Sequence, residues 1–259
     1  MKNDIKNISK IFKYLANILI EFIYPENISC IICNNPINKS NTYSICKSCF
    51  NEMSFILDGC IKCGKPIIYH SLEKQDISGC SSCFNKTFYF DKSISCIEYN
   101  NTSKKLILDF KYKNKTYMSK YIANIMKEKL EIENIEFDCI LYVPLHKKRL
   151  KKRGFNQSKK IAIKLEKLIN KPSYDILIRK KYTKPLYNLS KEQRNKVLKN
   201  VFEIKNEINL KNKNILLVDD IFTTGATVNE ISKILKLEGV NKVYVITLLT
   251  RSNDNYIKA

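Results

Sequence analysis

The chain contains, at residues 218–227, the sequence Val218-Asp219-Asp220-Ile221-Phe222-Thr223-Thr224-Gly225-Ala226-Thr227. The residues before it, Asn214 to Val218, form a short apolar run that predicts a buried strand, and Ala226 to Leu237 have the periodicity of a helix. Ligands of open α/β sheets lie beyond the carboxyl ends of the strands. Residues 218–227 therefore lie where an open α/β sheet binds its ligand.

The chemistry of these residues suits a sugar phosphate. A helix N-terminus offers free backbone N–H groups and the positive end of a dipole to a phosphate, and glycine permits a close backbone approach. The two carboxylates can instead accept hydrogen bonds from vicinal ribose hydroxyls. The alternative is a helix cap next to two surface acids. We expect a ribose 5-phosphate site made by Asp219, Asp220, Thr223, Thr224, Gly225, Ala226 and Thr227.

Strand and helix patterns alternate through the second part of the chain, which predicts an α/β fold with a doubly wound, mainly parallel sheet. The expected strands are Ser93 to Tyr99, Phe137 to Val143, Ile176 to Arg179, Asn214 to Val218 and Lys242 to Leu249. Thr102 is expected to cap a helix that runs to about Lys113, and further helices are expected from Tyr117 to Leu130, from Asn156 to Ile169 and from Ala226 to Leu237. The polar, basic segment Lys180 to Lys199 is expected to be a mobile loop.

Eight of the ten cysteines form four C-x-x-C pairs, whereas Cys96 and Cys139 stand alone in apolar surroundings as expected core residues. Two such pairs can hold one tetrahedral Zn²⁺, and four thiolates close its coordination shell, so that two structural zinc ions are expected. Spacing alone leaves sequential and crossed pairing open, and a redox role is a minor alternative. The expected ligands are Cys30, Cys33, Cys46, Cys49, Cys60, Cys63, Cys80 and Cys83.

The formal net charge of the 259 residues is +21. A basic chain favours nucleic acid, nucleotides or an anionic membrane as partners, although Lys is abundant throughout and a solvated surface explains much of this charge. Arg is scarce, and all five arginines lie in the second half of the chain. Because Arg grips phosphate with a planar fork, this distribution hints at anion binding.

Three segments are expected: an N-terminal amphipathic helix at 1–25, a double zinc ribbon at 26–92 and an α/β domain at 93–259. The stretch Ile11 to Tyr24 of the first segment is partly apolar, but Lys13 and Glu21 interrupt it and it is too short to cross a bilayer. Packing on the protein is the expected role of this helix, and contact with a membrane surface is the alternative. The expected location is the cytoplasm, without a transmembrane segment.

The basic run Lys147-Lys148-Arg149-Leu150-Lys151-Lys152-Arg153 follows His146. It can be a solvated cationic face, a pyrophosphate contact or a contact for single-stranded DNA. His146 comes directly after an expected buried strand, so it is more suited to a ligand-facing place than His70, which is expected on the surface.

Together these features resemble the ComF family, also called GntX-like, which pairs a double zinc ribbon with a type I phosphoribosyltransferase-like domain and is linked to bacterial DNA uptake. The resemblance is carried by the string Asp109 to Lys113, by Val143 to His146, by Arg153-Gly154-Phe155-Asn156-Gln157 and by residues 218–227. It implies that Asp219 and Asp220 hold the ribose hydroxyls of 5-phosphoribosyl 1-pyrophosphate (PRPP) and that Thr223 to Thr227 hold its 5-phosphate. It also implies that His146 and the basic run up to Arg153 face the pyrophosphate and that Mg²⁺ accompanies it.

Two functions follow as hypotheses. The first is a PRPP-binding protein that acts in DNA uptake, with Mg²⁺-dependent transfer of a phosphoribosyl group. The second is a non-catalytic protein that binds single-stranded DNA and uses the same fold as a PRPP or nucleotide sensor. Competence and DNA-processing proteins are expected partners in either case. Glutamine-dependent amidotransfer is not expected, because every cysteine of the first part belongs to a metal pair.

Overall fold

The structure is a computed structural model, and it describes residues 27–67, 80, 83, 86–183, 197–198, 200–205 and 208–251. The expected N-terminal helix, His70 and most of the expected loop at 180–199 lie outside these residues. The described chain divides into two compact units, residues 1–51 and 52–259. The three expected segments remain predictions.

In the described part of the chain, a single 3-10 turn covers Thr42–Ser44. The α-helices are α1 (Lys47–Asn51), α2 (Asn101–Tyr112), α3 (Met118–Glu133), α4 (Lys147–Arg153), α5 (Gln157–Ile169) and α6 (Ala226–Leu237). The strands are β1 (Lys92–Glu98), β2 (Cys139–Tyr142), β3 (Leu177–Arg179), β4 (Phe202–Ile204), β5 (Asn214–Phe222) and β6 (Lys242–Thr250).

Four strands form one sheet in the order β1-β6-β5-β2, and every neighbouring pair is parallel. One of the two central strands, β5, carries the run Ile215 to Val218, which is fully buried. Strands buried on both faces have continuous apolar runs of this kind. Strands β3 and β4 make a separate antiparallel ribbon.

Helices cover both faces of the sheet. On one face, Ile231 and Leu235 of α6 share a core with Ile215 and Leu217 of β5 and with Val245 of β6. On the other face, α3 and α5 pack against each other and against the strands. The expectation of a doubly wound parallel sheet is confirmed.

Local capping explains several helix boundaries. The side chain of Asn100 accepts a hydrogen bond from the amide of Ser103, and the hydroxyl of Ser103 accepts one from the amide of Asn100, so this capping box begins α2. Thr102 was expected to cap the helix, but it lies inside the first turn. Asn156, the expected first residue of α5, lies one position before the helix and caps it.

Several elements differ from the expectations, and β4 was not expected at all. Strand β5 continues through Asp219 and Asp220 to Phe222, whereas the sequence placed the acids after its end. This extension follows from pairing with β6, because Asp219 lies opposite Thr247 and Phe222 opposite Thr250. The basic run at 147–153 is a helix, which ends at Gly154 in the left-handed conformation.

None of the helices in the described part of the chain has the length and hydropathy that a membrane span requires.

Candidate functional site

The acid pair, Asp219 and Asp220, lies near the carboxyl end of β5, and a backbone amide, a hydroxyl group and a lysine contact it. Oδ1 of Asp219 accepts hydrogen bonds from the amide of Asp220 at 2.9 Å and from the hydroxyl of Ser158 at 3.1 Å. Nζ of Lys111 lies 2.8 Å from Oδ1 of Asp220. Burial and the negative charge of Asp220 raise the pKa of Asp219 to about 7.

The motif strings quoted above meet at this acid pair. Lys111 belongs to the string at 109–113, whose Phe110 packs on Phe155 with ring centroids 5.6 Å apart. Ser158 follows the Arg-Gly-Phe-Asn-Gln string and begins α5 next to its cap, Asn156.

Asn156 fixes the start of α5 relative to the sheet. Its Nδ2 donates to the carbonyl of Val143 at 3.0 Å, just after β2, while its Oδ1 accepts from the amide of Lys159. The string therefore orients Ser158 toward the carboxyl end of the neighbouring strand.

The loop after β5 turns at Gly225. This residue has φ +77° and precedes α6, so the first amides of the helix face the same end of the sheet as the acid pair. A Cβ at Gly225 would lie 2.7 Å from the ring of Phe222, so glycine is required by conformation and by space. Thr223 is exposed, and Thr224, Ala226 and Thr227 are half-buried.

His146 and Arg153 bracket the basic helix α4. Nδ1 of His146 accepts a hydrogen bond from the amide of Lys148 and caps the helix. Arg153 donates to Oε1 of Gln157 at 2.5 Å and lies 5.0 Å above the ring of Tyr112. Among the described contacts, neither residue touches the acid pair directly; Arg153 is connected to it through Gln157, whose neighbour Ser158 binds Asp219.

Arg179, which interacts electrostatically with Asp219, was not among the expected site residues, whereas its neighbour Arg149 belongs to the basic run that was expected as one candidate pyrophosphate contact. Thr183 bridges them: its hydroxyl accepts from Arg179 at 2.5 Å and its carbonyl accepts from Arg149 at 2.7 Å. Arg179 is 7% exposed, lies over the ring of Phe202, and its Nε has no hydrogen-bond partner. Burial and the positive charge of Arg149 lower the pKa of Arg179 to about 10, while the carboxylate of Asp219 opposes this effect.

The scarcity of Arg was the sequence signal for this pair. Lys111 carried a signal only as part of the string at 109–113, without any indication of its partner, and Ser158 carried none, because one Ser at a helix start is common. Only the fold brings Lys111 and Ser158 into contact with the acid pair.

The cysteines form two clusters with sequential pairing, which settles the alternative that spacing left open. Within each cluster the Sγ atoms lie within 4.8 Å of one another. The ligands are Cys30, Cys33, Cys46 and Cys49 in the first cluster and Cys60, Cys63, Cys80 and Cys83 in the second.

The sulfur spacing fits zinc. Four sulfurs at about 2.3 Å from a tetrahedral Zn²⁺ lie about 3.8 Å from one another. The Sγ separations are 3.6 Å for Cys33–Cys46, 3.8 Å for Cys60–Cys83 and 3.6 Å for Cys63–Cys80. With all four positions occupied by thiolates, such sites support a structural role for zinc.

The two clusters begin with the same turn, repeated 30 residues later in the chain. The amide of Asn34 donates to the carbonyl of Cys30, and the amide of Gly64 donates to the carbonyl of Cys60. Both Asn34 and Gly64 have positive φ. The sequences 29–36 and 59–66 thus build one knuckle twice.

Two family models match the chain. A double zinc ribbon domain matches residues 19–84, and a phosphoribosyl transferase domain matches residues 150–257. Together with the parallel sheet and the cysteine clusters, they confirm a type I phosphoribosyltransferase fold preceded by a zinc ribbon region.

Curated relatives resemble nearly the whole chain. Competence protein F of Haemophilus influenzae is 27% identical over 228 residues, which are 85% of this chain and 95% of the relative. DNA utilization protein YhgH of Salmonella typhimurium is 26% identical over 83% of this chain and 94% of its own length. A solved hypoxanthine phosphoribosyltransferase of Staphylococcus aureus, with 20% identity and a TM-score of 0.34, covers 56% of this chain and 72% of its own. The chain is a relative of competence protein F and YhgH, and it joins a double zinc ribbon to a phosphoribosyltransferase domain.

Proposed function

We propose that this protein binds PRPP with Mg²⁺ at the carboxyl end of the sheet and acts in DNA uptake. One observation carries the ligand: the acid pair Asp219 and Asp220 stands directly before the glycine turn that opens α6. The names of the relatives support the process.

The proposed pose follows from charge. The carboxylates of Asp219 and Asp220 repel phosphate and accept hydrogen bonds from hydroxyl groups, so they take the ribose diol. The amides that follow Gly225 and the hydroxyls of Thr223, Thr224 and Thr227 take the 5-phosphate.

The pyrophosphate is proposed to accept hydrogen bonds from two places. Arg149 and Arg179 form one, because Arg179 is buried with a free Nε and no carboxylate pairs with it among the described residues. His146 and Arg153, at the two ends of α4, form the other. Mg²⁺, when bound, would neutralise part of the pyrophosphate charge.

The proposal extends to transfer of the phosphoribosyl group. The bond between the anomeric carbon and the pyrophosphate oxygen breaks, a nucleophile of the acceptor forms the new bond and loses its proton, and pyrophosphate leaves. Positioning and charge stabilisation by the residues above are the protein's contribution. Release of pyrophosphate from PRPP in the presence of candidate acceptors tests this step, and PRPP that stays intact with every acceptor and with water would contradict it.

Binding is tested by calorimetric titration of the zinc-loaded protein with PRPP and Mg²⁺. The parent is expected to bind, and Asp219→Ala/Asp220→Ala is expected to lose binding because the ribose diol loses both acceptors. Lys113→Gln, at the exposed residue that follows α2, serves as the control. A folded parent that does not bind PRPP would refute the proposal.

A second candidate function, binding of single-stranded DNA, is favoured by helix α4. Its four lysines are exposed, and none of its six cations forms an ion pair with a carboxylate among the described residues. Tyr182 and Tyr112 are 50% and 69% exposed and lie beside cations of this helix. Exposed aromatic rings next to cations suit stacking of unpaired bases.

Salt dependence tests this second function. Affinity for an oligonucleotide should fall steeply between 50 and 200 mM salt, as expected when several phosphate contacts release counterions. Substituting Lys147, Lys148, Lys151 and Lys152 with Gln should flatten that slope, while PRPP binding at low salt is retained. Binding that ignores salt, or no binding at all, would exclude this candidate.

A further inference from the structure

The second cysteine cluster is built into the core of the sheet unit. Cys60, Cys63 and Cys83 share one buried cluster with Phe222 of β5 and Val228 of α6. All of these residues belong to the compact unit 52–259, whereas the first cluster belongs to the unit 1–51.

Its knuckle is joined to the first residues of β1. The amide of Ser93 donates to the carbonyl of Lys62 at 2.9 Å. A Cβ at Gly64 would lie 2.5 Å from the carbonyl oxygen of Ser93. Backbone contacts this close leave no space for the knuckle to shift relative to the strand.

The segment Lys86 to Asp91 follows this cluster in the sequence and contacts the first turn of α6. The amide of Lys86 donates to the carbonyl of Cys83 at 2.9 Å, and the amide of Asp91 donates to the carbonyl of Val243 at 2.8 Å. Between them, the amide of Tyr89 donates to Oδ1 of Asn229, in the first turn of α6, at 2.6 Å. The segment is thus attached to the cluster, to the sheet and to the helix.

Aromatic rings of this segment lie under the glycine turn. Phe88 stacks on Phe90 with centroids 4.6 Å apart, and Phe90 meets the ring of Phe222 edge-on at 6.1 Å. A Cβ at Gly225 would lie 2.7 Å from Phe222 and 3.5 Å from Phe88. The turn that opens α6 therefore rests on two rings, one from β5 and one from the segment that leaves the second cysteine cluster.

We propose that Phe88 positions the phosphate-binding turn at Gly225 and that metal in the second cysteine cluster, but not in the first, holds Phe88 in place. A turn fixed before the ligand arrives binds phosphate more tightly, because less conformational freedom is lost on binding. Metal loss at the second cluster releases Phe88 and loosens the turn. The ligand part of this inference rests on the proposed function.

The test compares matched ligand variants, since Cys80 and Cys33 are both half-buried members of their clusters. Zinc content is measured by mass spectrometry, and amide hydrogen exchange of the peptide 222–229 is followed without any ligand. Cys80→Ser is expected to lose one zinc ion and to speed exchange at 222–229. Cys33→Ser is expected to lose one zinc ion and to leave that peptide unchanged.

A second pair of variants keeps both clusters intact. Phe88→Ala should retain two zinc ions and its circular dichroism spectrum, speed exchange at 222–229, and weaken PRPP binding about tenfold, the effect of one lost aromatic contact. Phe88→Leu should recover most of the affinity. Equal exchange at 222–229 in Phe88→Ala and the parent would overturn the proposal, as would an equal response to Cys33→Ser and Cys80→Ser.

The exchange measurement separates this proposal from the proposed function. If the parent does not bind PRPP while Cys80→Ser and Phe88→Ala still loosen the peptide 222–229, the ligand assignment fails and the coupling holds. If the parent binds PRPP and neither variant changes exchange or affinity, the coupling fails and the ligand assignment holds.

Discussion

Nζ of Lys111 lies 2.8 Å from Oδ1 of Asp220, although the two residues are 109 positions apart in the sequence. Both side chains are largely buried, with 15% and 14% exposure. The pair joins the last turn of α2 to the carboxyl end of β5. The positive charge of Lys111 compensates the negative charge of Asp220, one of two adjacent carboxylates.

Lys111→Gln is therefore expected to lower the free energy of unfolding at pH 8 by about 2 kcal/mol, because it leaves a partly buried carboxylate without its cation. Lys113→Gln is the matched control, since Lys113 pairs with Asp109 from a 63% exposed position and such pairs contribute about 0 to 1 kcal/mol. Urea denaturation measures both. Equal losses in the two variants would show that the buried pair contributes no more to stability than the exposed pair.

Gly225→Ala should destabilise the protein more than Gly154→Ala. Both glycines have positive φ, at +77° and +83°, so the backbone strain of alanine is shared. A Cβ at Gly225 would meet Phe222, whereas one at Gly154 would meet nothing within 4 Å. We expect a loss of about 1 kcal/mol for Gly154→Ala and about 3 kcal/mol for Gly225→Ala, measured by thermal unfolding.

PRPP affinity gives the same pair of variants a second readout. Gly225→Ala should weaken binding strongly, because the added methyl group displaces the turn. Gly154→Ala should bind as the parent does. Retained affinity in Gly225→Ala would mean that the turn does not contact the ligand.

The repeated knuckle provides another matched exchange, in which each cluster receives the residue of the other. Gly64→Asn should lower stability by more than about 2 kcal/mol, because its side chain would collide with the backbone of Ser93. Asn34→Gly should change stability by less than about 1 kcal/mol, since Asn34 is exposed and glycine also tolerates its positive φ. Zinc content and thermal unfolding test both, and a harmless Gly64→Asn would contradict the contact.

Asp219 should make stability depend on pH. Its pKa is raised to about 7 in the folded protein, above the ordinary value of 3.8, so the folded state holds a proton that the unfolded state has released between these values. Stability contributed by this group therefore falls as pH rises from about 4 to about 7 and stays low above pH 7.

Asp219→Asn removes this dependence and keeps an oxygen that can accept from Ser158 and from the amide of Asp220. Without ligand, the variant is expected to be more stable than the parent at pH 8 by about 1 to 4 kcal/mol, with the gain shrinking toward pH 4. Thermal unfolding at pH 5 and pH 8 measures the difference. A gain that is the same at both values would assign it to something other than the charge of Asp219.

Short-range patterns were sufficient for most of the fold. The apolar run of β5, the start of α6 at Ala226 and the start of α5 near Asn156 depend on neighbouring residues, and the sequence predicted them. The continuation of β5 through Asp219 and Asp220 was missed, because it depends on pairing with β6, which is encoded more than 20 residues later.

The candidate site also has a part that the sequence predicts and a part that only the fold assembles. The acid pair and the glycine turn form one contiguous motif and could be identified from the sequence. Lys111, Ser158 and Arg179 come from three other elements, and their meeting at Asp219 and Asp220 depends on the order of strands in the sheet. Periodicity gives no information on that order. The scarcity of Arg pointed toward Arg149 and Arg179 without locating them.

The strand order β1-β6-β5-β2 also determines when β1 can pair during synthesis of the chain. β1 pairs only with β6 in this sheet, and Ser95 meets Thr247 across 152 residues of chain. A nascent chain on the ribosome therefore carries β1 without a partner edge until β6 has left the exit tunnel, and such non-local pairing forms slowly. Throughout this interval the knuckle at Cys60 to Gly64, already synthesised, can bind metal before the strand that supports it has joined the sheet.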